Sequence, residues 1–79
     1  MDNTVLFDVE EIKDAQIKDT LKEVYDALKE RGYNPINQMV GYIITGDPGY
    51  ISSYKDARAK MTELDRTEVA ATLLKGYLK

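Results

Sequence analysis

Apolar residues recur at helical spacing along most of the chain, and this pattern predicts helices joined by short loops. The first predicted helix covers residues 14–31, with charged residues around an apolar stripe. Asp14 can cap its start, and Gly32 can end it in the left-handed conformation. The stripe consists of Ile17, Leu21, Val24, Tyr25 and Leu28. This pattern is typical of an amphipathic helix that packs one side on a core.

The second predicted helix has a clear start and end. Asn34 is a favourable N-cap, Pro35 loses no hydrogen bond at the first helical position, and Gly46 can terminate the helix. Its apolar residues are Ile36, Met39, Val40, Ile43 and Ile44. A helix of about eleven residues spans about 16 Å, which is too short to cross a bilayer. We therefore expect a central, nearly fully buried helix, with Gly41 as a notch where another helix approaches closely.

Asp47 and Pro48 repeat this order of cap and proline, and they predict a short turn. A third long helix is expected to start at Ser52 or Ser53 and to continue to about Leu64. Its predicted inner face consists of Tyr54, Ala57, Met61 and Leu64. The stretch TGDPGYISS between the second and third helices resembles the corner of a helix-turn-helix.

The last predicted helix starts at a variant capping box, with Asp65 as N-cap and Glu68 at N3, and it runs to the C-terminus. Its predicted inward residues are Val69, Ala70, Leu73, Leu74 and Tyr77. Residues 1–13 are predicted to be a flexible N-terminal arm, and residues 14–79 a single helical domain. The expected fold is all-α, a compact bundle of about four helices with short loops.

The composition favours a homodimer of this small domain. A chain of 79 residues forms a marginal core by itself, and without cysteine it has no disulfides to compensate. The segment from Gly32 to Gly46 has no charged side chain and offers a surplus of apolar surface. The second and fourth helices are the predicted interface. The full set of core or interface candidates is Tyr33, Asn34, Pro35, Ile36, Met39, Val40, Gly41, Ile43, Ile44, Asp47, Pro48, Leu73 and Tyr77.

The sequence has few residues suited to catalysis or metal binding. Histidine and cysteine are absent, which removes the commonest general base and the commonest soft metal ligands. The acidic residues are expected on solvated helix faces, so no acid–base pair stands out. We predict no enzymatic activity and no cofactor. An anion at the helix starts near Pro35 or Pro48 is a weaker possibility, and simple capping explains both starts.

Charge argues against nucleic acid as the main partner. Residues 1–30 carry a net charge of −5, residues 31–54 carry zero and residues 55–79 carry +2. Nucleic-acid binders instead concentrate positive charge on one face. A helix-turn-helix-like binder remains the alternative, with Lys55, Arg58 and Lys60 on the reading helix. The tyrosines near the uncharged segment fit a core or an interface better than a stacking platform.

No signal-peptide pattern and no run of 18 apolar residues occurs, so we expect a cytoplasmic protein without membrane insertion. Thr4 lies in an acidic arm. A phosphate there would add about −1.5 to −2 charges, which could release the arm from an acidic surface or dock it on a basic one.

Longer motifs give a family resemblance. The run VYDALKERGYNPINQMVGYIITGDPGYI, with DAR at 56–58, ELDRTE at 63–68 and YLK at the end, resembles the IreB family of small proteins of Firmicutes. The TVLF at 4–7 is similar to the N-terminal signature of that family. The resemblance covers nearly the whole chain from Val24 onward, and residues 8–18 match loosely.

The resemblance implies a cytoplasmic helical homodimer without catalytic activity. It also implies phosphorylation by a transmembrane Ser/Thr kinase with extracellular PASTA repeats, and a role in cell-envelope stress tolerance and cephalosporin resistance through a downstream protein. The threonine that matches the motif is Thr4. A second, earlier arm threonine of some relatives has no counterpart, because positions 1–3 are Met, Asp and Asn.

Overall fold

The computed structural model describes residues 9–79, and in this range the chain forms four α-helices and no strand. The helices are α1 (Val9–Glu30), α2 (Pro35–Thr45), α3 (Ala57–Thr62) and α4 (Arg66–Leu78). Two single-turn 3₁₀ helices, Pro48–Tyr50 and Tyr54–Asp56, lie between α2 and α3. The all-α prediction is confirmed.

Helix α1 begins at Val9, so the predicted arm is wrong for residues 9–13. Asp14 is not a cap but lies inside the helix, about one and a half turns from its start. Glu10 and Glu11 occupy the first turn, where negative charge is favourable against the helix dipole. The rest of the predicted arm, residues 1–8, lies outside the described residues.

The core forms around α1, which contacts each of the other three α-helices. Ile17, Leu21, Val24 and Leu28 of its predicted stripe are buried, and Tyr25 is half-buried. The other helices and the loop between α2 and α3 cover this stripe with Tyr42, Ile51, Ala57, Met61 and Val69, all buried. The central helix of the fold is therefore α1 and not α2.

Helix α2 has the predicted bounds but not the predicted burial. Asn34 Oδ1 accepts a hydrogen bond from Asn37 N at 3.2 Å, and Gly46 ends the helix at a φ of 74°. Of its eleven residues only Tyr42 is buried. The expectation of a nearly fully buried helix is wrong for the single chain, because α1, the following loop and the start of α4 cover only part of its circumference.

The segment after α2 folds back along one side of the helix. Ser52 N donates a hydrogen bond to Gln38 Oε1 at 3.2 Å, and Asp47 N donates one to Thr45 Oγ1 at 3.1 Å. Between these contacts the ring of Tyr50 lies directly over Gly41. Gly41 is a notch as predicted, but it receives an aromatic ring rather than a helix.

Helix α3 is shorter than predicted because the chain turns sharply before it. Lys55 and Asp56 adopt left-handed φ values of 50° and 62°, which L-residues with side chains seldom adopt. The turn is held from outside, since Tyr54 Oη donates to Glu30 Oε2 at 3.0 Å and Lys55 Nζ lies 2.8 Å from Glu30 Oε1. The helix therefore begins at Ala57 and not at Ser52 or Ser53.

Helix α4 begins as predicted, with Asp65 Oδ1 accepting from Glu68 N at 3.0 Å. Its inward face differs from the prediction. Val69 is buried and Ala70 is half-buried, but Leu73, Leu74 and Tyr77 are exposed. Thr72 points inward instead, and its buried hydroxyl donates a hydrogen bond to the half-buried Asp14 on α1.

Two helical glycines give a matched test of the Tyr50 contact. A Cβ at Gly41 would overlap the Tyr50 ring, whereas a Cβ at Gly76 meets nothing within 4 Å. We expect Gly41→Ala to lower the free energy of unfolding by about 1–3 kcal/mol through overpacking. Gly76→Ala should raise it by about 0.5–1 kcal/mol, because alanine restricts the unfolded chain. Urea unfolding measures both.

The same effect should disappear when the ring is removed. In a Tyr50→Ala background, Gly41→Ala should become neutral or stabilising. A destabilisation that persists without the ring would contradict the notch.

Candidate interaction face on α2 and α4

The large exposed apolar side chains of the described residues concentrate on two adjacent helices. On α2 they are Ile36, Val40 and Ile44, which follow each other at intervals of four and form one stripe. On α4 they are Leu73, Leu74, Tyr77 and Leu78. The exposed fraction reaches 73% at Ile44 and 86% at Tyr77. We name these seven residues the α2–α4 face. Contiguous exposed apolar surface is typical of interaction sites, which makes this face a candidate.

A groove continues the α2–α4 face toward α1. Its volume is about 480 Å³ and its lining is almost wholly apolar. The lining comes from Leu21 and Tyr25 of α1, Ile36, Met39, Val40 and Ile43 of α2, and Leu73 of α4, with Lys18 and Lys22 at the border. Because α2 has no charged residue, this surface has no ionic group of its own to hold water.

One arginine fixes α2 and α4 relative to each other. Arg66 Nη1 at the start of α4 donates a hydrogen bond to Ile43 O at 3.0 Å, close to the end of α2. A cation there also complements the negative end of the helix dipole. The guanidinium lies against Gly46, where any side chain would collide with it. The two helices therefore present their apolar residues as one surface.

The predicted core or interface residues separate into distinct groups. Ile36, Val40, Ile44, Leu73 and Tyr77 lie on the α2–α4 face, while Met39 and Ile43 are half-buried against the core. The remaining candidates have local roles or positions: Tyr33 is exposed between α1 and α2, Asn34 and Asp47 are N-caps, Pro35 and Pro48 are first helical residues, and Gly41 receives Tyr50. Thr4 lies outside the described residues.

Sequence reasoning missed Leu78 and placed Leu74 on the wrong side. The signal was present, because the paired apolar positions 69–70, 73–74 and 77–78 are too many for one buried stripe. An α-helix with apolar residues on two adjacent stripes has more apolar surface than a single core contact covers.

A second group of contacts, between α1 and α4, was also missed. Lys75 Nζ lies 2.7 Å from Glu10 Oε2 and 2.8 Å from Asp14 Oδ2, and Thr72 Oγ1 donates to Asp14 Oδ1 at 2.7 Å. Next to them Lys13 Nζ lies 3.1 Å from Glu68 Oε2. We name these residues the α1–α4 cluster. These contacts hold the first turns of α1 on α4 and account for the early start of α1.

The cluster changes the protonation behaviour of its members. The hydrogen bond from Lys75, followed by that from Thr72, lowers the pKa of Asp14 below its ordinary value of 3.8. The carboxylates of Asp14 and Glu10 in turn raise the pKa of Lys75. The pKa of Glu30 is lowered in the same way by Lys55 and Tyr54.

The basic residues proposed for nucleic-acid reading have partners within the fold. Lys55 pairs with Glu30, and Lys60 Nζ lies 3.0 Å from Glu23 Oε1. Arg58 Nε donates to Ile51 O at 2.8 Å. These three side chains do not form a free cationic surface, so the helix-turn-helix alternative receives no support.

Within residues 9–79, no group of three or more acidic, cysteine or histidine side chains is arranged to hold a metal ion. No helix in that range has both the length and the apolar character that a membrane span requires.

The α1–α4 cluster predicts a loss of stability in acid. Because the folded pKa of Asp14 lies below its ordinary value of 3.8, its contribution to stability is present above that pH and is lost as the pH falls through the folded pKa. The variant Lys75→Gln removes the main cause. Its melting temperature should therefore fall less between pH 5 and pH 2 than that of the unaltered protein.

Thermal unfolding followed by circular dichroism gives the comparison. Lys79→Gln makes the same charge change at the end of α4 and should keep the acid dependence of the unaltered protein. An equal fall in melting temperature between pH 5 and pH 2 for Lys75→Gln and the unaltered protein would contradict the assignment of this acid dependence to the contact between Asp14 and Lys75.

Two comparisons with known proteins identify the same family. A family model described as "IreB regulatory phosphoprotein" matches residues 2–79. A protein of Ruminiclostridium cellulolyticum named "UPF0297 protein" is 49% identical over 79 residues, which cover 100% of this chain and 90% of the relative. The range matched by the family model spans α2, the Asp65 cap of α4 and Thr4. This chain therefore belongs to the IreB family of regulatory phosphoproteins.

Proposed function

We propose that this chain acts as a non-enzymatic regulator, that it forms a homodimer through the α2–α4 face, and that phosphorylation of Thr4 switches it. The observation that carries the proposal is the uncovered α2–α4 face on a member of a regulatory phosphoprotein family. A protein that works by contact needs such a surface more than it needs a catalytic cleft.

A second copy of the chain is the partner that fits the α2–α4 face best. Permanent homodimer interfaces are more apolar than transient ones and resemble a domain core cut in half. A two-fold axis would bring the face of one protomer against the same face of the other. Val40 and Ile44 would then meet apolar residues instead of water, and the marginal core of a small chain would be extended.

The proposed kinase site is in the arm, and three threonines of the body have structural roles instead. Thr72 is buried and donates to Asp14, Thr45 Oγ1 donates to Gly41 O at 2.7 Å, and Thr62 Oγ1 donates to Ala59 O at 3.2 Å. Thr4 has the sequence context of the family signature. A kinase must also draw its substrate segment into its own cleft, which a terminal arm permits more readily than a helix does.

In this proposal the kinase is a transmembrane Ser/Thr kinase with PASTA repeats, and the regulator acts in the cytoplasm. Its effect would reach a downstream protein that governs cell-envelope stress tolerance and cephalosporin resistance. The support for this circuit is family membership. The absence of histidine and cysteine supports a role without catalysis.

A charge on the α2–α4 face should separate the dimer. We expect Ile44→Asp to weaken self-association at least about hundredfold, because two-fold symmetry buries the unpaired carboxylate twice. Sedimentation equilibrium at micromolar concentration should give twice the chain mass of 9.0 kDa for the unaltered protein and the chain mass for the variant.

The matched control is Ile12→Asp, the same substitution at an exposed position of α1 outside the α2–α4 face. This variant should remain dimeric. A monomeric unaltered protein at micromolar concentration, or equal weakening by both substitutions, would refute the proposed interface.

Phosphorylation is tested in the native host with the candidate kinase active and then disabled. Mass spectrometry of the purified protein should find phosphate on Thr4 only when the kinase is active. The variant Thr4→Ser should still be phosphorylated. The variant Thr4→Ala should not be phosphorylated, and its host should lose the effect of the protein on cell-envelope stress tolerance. An unmodified Thr4 in both states would overturn the switch and leave the dimer proposal untouched.

A further inference from the structure

A second groove lies between the start of α1 and α4. It has a volume of about 480 Å³, and its lining includes Val9, Lys13 and Ile17 from α1 and Glu68, Ala71 and Lys75 from α4. The contacts of the α1–α4 cluster cross this groove and hold its two walls at a fixed distance. It is therefore a formed feature of the fold rather than a gap that closes freely.

We propose that the apolar triplet Val5, Leu6 and Phe7 of the arm occupies this groove in the unmodified protein, and that a phosphate on Thr4 drives the triplet out. The docking of the arm goes beyond the proposed function. The effect of the phosphate rests on that function, because it assigns a consequence to the modification of Thr4.

The length of the arm favours this groove over the groove beside α2. A residue spans at most about 3.6 Å, so Phe7 stays within about 7 Å of Val9 and Val5 within about 14 Å. The groove begins at Val9 and extends along α1 to Ile17, a distance of about 12 Å at 1.5 Å per residue. The groove beside α2 has its first α1 residue at Lys18, about 14 Å from Val9, beyond the reach of Phe7.

The chemistry of the arm matches the floor of the groove. Val9 and Ala71 provide aliphatic surface there, with the buried Ile17 beneath them, and Val9 is 70% exposed. The triplet is uncharged and contains the only phenylalanine of the chain. A short tether keeps the triplet at an effective concentration in the millimolar range, so even a weak apolar contact is populated.

The charge around the groove works against a phosphate. Its rim combines the carboxylates of Glu10, Asp14 and Glu68 with the ammonium groups of Lys13 and Lys75, a net charge of −1. Both lysines already contact carboxylates in the α1–α4 cluster. Phosphothreonine adds about −1.5 to −2 charges beside Val5. Repulsion over about 8 Å in water weakens docking roughly threefold to tenfold.

Phe7 allows a direct test on the full chain. Because it is the only phenylalanine, 4-fluorophenylalanine gives a single ¹⁹F resonance. In the unmodified protein we expect this signal to be protected from a soluble paramagnetic agent. The variant Ala71→Gln fills the groove with a neutral side chain and should expose the signal. Ala15→Gln makes the same change on an exposed part of α1 outside the groove and should leave it protected.

The phosphate is tested with phosphothreonine incorporated at position 4 by genetic encoding, so no kinase is needed. We expect the exposed population of Phe7 to rise roughly threefold to tenfold in low salt, and the rise to shrink in 1 M NaCl. Circular dichroism confirms that each variant keeps its helices. If mass spectrometry of the protein from its host finds Thr4 unmodified, the proposed kinase circuit is refuted. The ¹⁹F signal of Phe7 still tests whether the arm docks in the groove.

Three outcomes would overturn the inference. The first is a Phe7 signal that is fully exposed in the unmodified protein. The second is protection that Ala71→Gln does not relieve, which would place the ring elsewhere. The third is stronger protection after phosphorylation, which would mean that Lys13 and Lys75 capture the phosphate.

Discussion

The fold depends on the burial of one apolar stripe along α1. This helix is the longest element of the described chain, and the side chains of Val24 and Leu28 on it are completely buried. The shorter elements contribute single residues to the same core, such as Ile51 from the loop and Met61 from α3. A core built around one helix leaves the outer sides of its neighbours uncovered. The apolar residues on the far side of α2 and α4 follow from that geometry.

The sequence alone predicts the elements whose boundaries are set by residues close to them in the chain. Asn34 with Pro35, the two left-handed glycines and Asp65 each act through the backbone within four residues, and the structure confirms the helix boundaries that they predict. The apolar stripe of α1 was also readable, because every turn repeats it. Such features depend on neighbours in the chain, so one sequence contains what is needed to find them.

The wrong predictions concern features that depend on residues far away in the sequence. The early start of α1 relies on Lys75, which is 65 residues away from Glu10 in the chain. The late start of α3 relies on Glu30, which holds Tyr54 and Lys55 in an unfavourable turn. Apolar periodicity alone also could not separate the side of α2 that meets the core from the side that remains exposed. For the α2–α4 face, the candidates predicted from the sequence include Leu73 and Tyr77 of α4 but omit its other two exposed residues, Leu74 and Leu78.

The hydrogen bond between Arg66 and the end of α2 has a consequence for the lifetime of a complex that forms on this surface. Because α2 and α4 are already locked together, a partner that binds across both helices does not need to order them first. Surfaces that are organised before contact lose little conformational entropy when they associate. Differences in affinity between related interfaces appear mainly in the dissociation rate. A single guanidinium at the edge of this surface can therefore influence how long a complex persists without touching the partner.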